Sequence, residues 1–149
     1  MKQAIIACCL FISLITIIII SCKKGNGFNG SSNTEYLTQQ AWKISMFERK
    51  INSGSYVDQF PTVAACSRDD EYKFNITFTY QITEGATKCN PSDPDIIFTG
   101  FWQLLQNETK LKMDNIEYTV NRLDNTTMIL SNITILPPDT TYDRITLIH

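Results

Sequence analysis

The side chains of this 149-residue chain that could carry chemistry are five cysteines, one histidine and a run of three acids. Cys66 and Cys89 include no Cys-x-x-Cys motif, and the only histidine is the last residue, His149. A thiolate metal site or dithiol redox centre therefore lacks its usual partners. The same shortage argues against a serine or cysteine nucleophile, which needs a positioned base. Asp69, Asp70 and Glu71 could raise one another's pKa and supply a general acid. On a strand, however, adjacent side chains point to opposite faces, so a solvated rim or a cap for the following strand is the preferred reading. The segment 89–95 offers oxygen ligands at spacings that calcium could use, but no glycine and no following bidentate glutamate completes a calcium loop. The reading assigns no catalytic residue, no metal site and no cofactor, and the chain is expected not to be an enzyme.

Cys22 carries a different chemistry. Lys2, the apolar run 4–20 and the small Ser21 have the order of a secretory leader. At about seventeen residues the run is near the lower limit for a membrane-spanning helix, so its ending decides between leader and anchor. Ile19-Ile20-Ser21-Cys22 resembles the lipobox of Gram-negative lipoproteins, in which the cysteine thiol receives diacylglycerol, the peptide is cut before it, and the new amine is acylated with a fatty acid such as palmitate. Several acyl chains give stable anchoring, because each buried methylene contributes about 0.8 kcal/mol and one chain alone is marginal. Residues 1–21 are thus expected to be a lipoprotein signal peptide, and 22–34, rich in Gly, Asn and Ser, a lipidated flexible tether. Loss of Lys2 would leave 12 basic against 15 acidic residues, a formal charge of about −3, with no basic footprint for nucleic acid.

With Cys8 and Cys9 in the leader and Cys22 lipidated, Cys66 and Cys89 remain. An exported chain with one remaining pair suggests a disulfide, with two free thiols as the alternative.

The elements that position these residues read as β. One helical turn over 36–41 is expected to lead into a strand over 42–51. From Tyr72 to Thr83 apolar and polar residues alternate without a break, as an antiparallel sheet with one buried face requires. Parity alone leaves open one long strand or two joined near 76–78, where no turn glycine stands. Further strands are expected at 97–105, 110–113, 116–122, 127–135 and 142–148, separated by turn-forming residues. Short strands with brief connections suggest a meander, which can close into a barrel and remove its edges.

Trp42-Lys43, the segments 66–75 and 84–93 around the two cysteines, Thr79-Tyr80 and Gly100-Phe101-Trp102 together resemble the lipocalin-like domains of bacterial outer-membrane lipoproteins. The resemblance covers about 37–130 and departs from the family at Gln40 and at Thr77-Phe78, where glycine is usual. It implies an all-β fold, a small up-and-down antiparallel barrel of about eight strands over 35–149, and pairing of Cys66 with Cys89. It also implies the outer membrane and supplies no ligand. Lys23-Lys24-Gly25-Asn26 lacks the acidic residues that often mark surface export in such lipoproteins, so the periplasmic face is expected.

The aromatic residues Trp42, Tyr72, Phe74, Phe78, Tyr80, Phe98, Trp102 and Tyr118 could fill the barrel or line a cavity, with filling preferred and Trp42 plugging the base. Two functions follow. One is capture of a small hydrophobic or amphipathic ligand, and the other is a filled barrel that presents loops such as 86–95 to an envelope protein.

Overall fold

Alternating residues set the architecture, since each strand must turn one face to a core and the other to water. The computed structural model describes residues 32–149; the expected leader, Cys22 and nearly all of the tether lie outside the described residues. A short helix α1 (Asn33–Thr38) precedes β1 (Trp42–Ile51), β2 (Val57–Asp58), β3 (Glu71–Phe74), β4 (Thr79–Thr83), β5 (Ile96–Leu105), β6 (Lys110–Met113), β7 (Ile116–Leu123), β8 (Thr127–Leu136) and β9 (Asp139–Ile148). All pairs are antiparallel, β3 to β9 pair in sequence order, and β1 joins both β3 and β9. The result is the closed eight-stranded up-and-down barrel that was expected, with β2 as a short extra strand beside the upper part of β1.

The helical turn lies three residues earlier than expected, over Asn33–Thr38, because Ser32 caps it by accepting a hydrogen bond from the Glu35 amide. The alternation over 72–83 resolves into two strands, β3 and β4, joined by a turn at 75–78. In that turn the Phe78 amide donates to the Asn75 carbonyl (3.0 Å). Phe78 itself takes the left-handed conformation (φ 62°) that glycine usually provides. Its ring lies 5.4 Å from that of Trp102, a contact that offsets part of the backbone cost. The last strand begins three residues before the expected 142, and β2 was not foreseen.

Strand directions give the barrel two unlike ends. At the end where α1 enters, Leu37 and Trp42 are fully buried, and the Trp42 Nε1–H donates to the Leu37 carbonyl (3.0 Å). His149 stacks on Trp42 with ring centroids 3.8 Å apart, and its Nδ1 lies 2.9 Å from the Ala41 carbonyl oxygen. Trp42 therefore plugs the base, as expected. Phe74, Trp102, Leu111, Met128, Leu130 and Leu147 fill the space above it.

Candidate functional site

The opposite end is open, and its rim is built from loops. The sulfurs of Cys66 and Cys89 are bonded, with Cα atoms 5.1 Å apart, and tie the segment before β3 to the β4–β5 loop. A crosslink of this span contributes about 3 kcal/mol by restricting the unfolded chain. Asp69 strengthens the same junction by accepting hydrogen bonds from the Thr87 amide (2.9 Å) and hydroxyl (2.8 Å), which hold its carboxyl below the usual range.

The three acids do not converge. Glu71 turns outward between Lys43 (3.3 Å) and Lys73 (3.1 Å). Asp70 turns inward, where one buried oxygen has no hydrogen-bond partner and loss of water raises the pKa. Several oxygens of 89–95 are engaged within the loop. Lys88 Nζ donates to the Asp93 carbonyl (2.7 Å) and the Asp95 carboxylate (2.6 Å), while Asn90 Oδ1 accepts from the Ser92 amide (3.2 Å) and hydroxyl (2.9 Å). The Lys88 ammonium thus occupies the Asp93 carbonyl and one Asp95 oxygen.

The eight aromatic residues fall into three groups. Trp42 and Trp102 are core, Phe74 and Tyr80 are core residues that also border the hollow, and Phe78 is 56% exposed at the closed end. Tyr72, Phe98 and Tyr118 line hollow space. A cavity of about 60 Å³ lies inside the barrel, walled by Ile44, Tyr72, Phe74, Met113, Tyr118, Met128, Leu130, Ile145 and Leu147. Tyr72, Met113 and Tyr118 also line an open recess of about 380 Å³ at the mouth, together with Tyr80, Ile82, Phe98, Asp114, Asn115 and Ile116. A second open recess of about 520 Å³ meets the first at Asn115, Ile116 and Tyr118 and continues over Phe47, Asn132, Thr134, Asp143 and Ile145. The hollow is thus graded from a narrow, mainly apolar throat to a wider and more polar mouth, and Tyr118 borders every part of it.

Asp114 organises one wall of the mouth. It begins the two-residue turn between β6 and β7 in a left-handed conformation (φ 50°), which folds its carboxylate back over β5. There it accepts from the Phe101 amide (2.9 Å) and the Tyr80 hydroxyl (2.7 Å), and these bonds hold it ionised below the usual carboxyl range. Gly100 makes the arrangement possible, since a Cβ there would lie 2.5 Å from an Asp114 oxygen and 2.6 Å from the Tyr80 ring. On the far wall Arg49 holds Asp143 through two parallel bonds of 2.7 and 2.9 Å. Among the described residues the Tyr72 and Tyr118 hydroxyls have no hydrogen-bond partner, and burial raises both pKa values. Both residues line the hollow.

Sequence reasoning identified the aromatic residues but not Asp114, Gly100, Asn115, Ile116 or Asp143. A glycine inside a strand, at Gly100, was the available sign of a close approach.

In comparisons with known proteins, no protein-family model matches the chain and no curated sequence matches it significantly.

Proposed function

We propose that this is a lipid-anchored, lipocalin-like lipoprotein that binds a small hydrophobic or amphipathic ligand in the bacterial cell envelope. The observation that carries the reading is the graded hollow, a narrow, partly open apolar throat of about 60 Å³ sharing Tyr72, Met113 and Tyr118 with the mouth recess. Ligand sites are usually concave and mostly apolar with a few oriented polar groups, which describes this end of the barrel. The throat is less than half the roughly 150 Å³ that admits benzene in an engineered cavity, so it takes only part of a ligand and the mouth takes the rest. The reading assigns no catalytic role, and the packing of His149 on Trp42 at the closed end keeps its imidazole out of the hollow. Cys22 supplies the anchor, and the outer membrane, on its periplasmic face, is the destination.

Titration with the neutral probe N-phenyl-1-naphthylamine tests ligand capture. Saturable binding at one site, displaced by native lipid extract and weakened by Ile145→Phe in a folded variant, is expected. Absence of saturable binding to the folded protein would remove the reading. Anchoring is tested separately, by loss of labelled palmitate and of membrane association in Cys22→Ser.

The small throat and the packed lower barrel favour a second reading, an interaction subunit that presents the exposed loop around 86–95. One stoichiometric crosslinked partner, lost on substitution within that loop, would favour it over ligand capture.

A further inference from the structure

The charges around the mouth discriminate among amphiphiles. Among the described residues no lysine or arginine lines the throat or either recess, whereas Asp114, Glu117 and Asp143 do. Two of these acids are already compensated, Asp143 by Arg49 at 2.7 Å and Glu117 by Lys110 at 3.7 Å. Asp114 has no cationic partner among the described residues; it accepts only from the neutral Phe101 amide and Tyr80 hydroxyl. The recess that contains it is also lined by Tyr72, Tyr80, Phe98 and Tyr118. Aromatic rings attract cations through the negative potential of their faces, and groups of rings are the usual recognition device for substituted ammonium ions. An anionic head would instead meet an ionised carboxylate, with no basic side chain lining the recess to receive it.

We propose that the mouth binds the ammonium head of a small cationic amphiphile between Asp114 and the four aromatic rings, with its short apolar part in the throat. The inference rests on the ligand-capture reading and narrows it from amphiphiles in general to cationic ones. It excludes fatty acids as the preferred ligand.

Calorimetric titration of the soluble domain with octyltrimethylammonium, octanol and octanoate, all below micelle-forming concentrations, separates the two readings. The cation is expected to bind about tenfold more tightly than octanol, and octanoate more weakly than either. Asp114→Asn keeps an acceptor for the Phe101 amide and is expected to bring the cation to within about threefold of octanol. Tyr118→Leu keeps an apolar lining and is expected to weaken the cation more than octanol. Glu35→Gln, an exposed acid on α1 at the closed end, should change nothing and controls for net charge. Circular dichroism confirms that each variant is folded. Octanoate binding as tightly as the cation, or a preference unchanged in both Asp114→Asn and Tyr118→Leu, would overturn the inference and leave ligand capture standing. Failure of all three compounds to bind would remove both.

Discussion

Gly100 is the residue on which the mouth depends most directly, because the Asp114 carboxylate and the Tyr80 ring occupy the space where a side chain would stand. Both neighbours are held, one by the Phe101 amide and the other by the Tyr80–Asp114 hydrogen bond, so neither yields cheaply. Gly100→Ala is expected to destabilise the domain by about 2 kcal/mol, as overpacked sites do, and urea denaturation measures it. Asp70 poses the opposite problem, a carboxylate whose burial favours the protonated form in the folded state. A folded pKa above the unfolded one means that ionisation opposes folding, and the penalty fades as pH falls through the raised pKa. Asp70→Asn should therefore be more stable than the parent at pH 7, with the advantage disappearing below the ordinary carboxyl range. Asp69 has the other sign: its folded pKa is lowered by Thr87, so its contribution is present at neutral pH and lost on acidification.

Among the elements, the two loops joined by the disulfide differ from the strands in what holds them. No long ladder runs through 59–70 or 84–95, and Cys66–Cys89, the Asp69–Thr87 bonds and Lys88 supply the order instead. Replacing both cysteines by serine is expected to cost about 3 kcal/mol in the urea midpoint analysis, with the two loops becoming the first sites of proteolysis. Strand positions were legible in the sequence wherever side chains alternate, so β1 and β6 begin and end where the pattern says. The start of β9 was not legible, because Asp139, Thr140 and Thr141 are polar and become strand only by pairing with Leu136, Ile135 and Thr134 of β8. The aromatic residues were legible as a set, but period two cannot say how deep each one sits. Trp102 and Phe98 both line the inner side of β5, yet one is buried in the core and the other is 44% exposed at the rim. Asp114 read only as a turn residue, since its role depends on a glycine fourteen positions earlier being brought beneath it by the β5–β6 pairing.

For the whole molecule the decisive contact is the seam between the first and last strands. β1 and β9 pair from Lys43 with Ile148 to Ile51 with Thr141, and ion pairs cross this seam from Glu48 to Arg144 and from Arg49 to Asp143. Removal of β9 would leave β8 and the whole facing edge of β1, Lys43 to Ile51, unpaired and take away the His149 contact with Trp42. Such a chain is expected to show no cooperative thermal transition and to aggregate, which calorimetry and light scattering would detect.

The seam also sets a schedule. Its partners are separated by about a hundred positions along the chain, as in the Ala41–His149 contact at 108. Pairings so distant in sequence form slowly and late, because the intervening chain must be ordered before they gain anything. A polypeptide threaded through a membrane N-terminus first would hold its opening strand unclosed until the last ten residues emerged. On the proposed export route the barrel would then snap shut in one event, with the proposed Cys22 anchor already in place and the mouth empty.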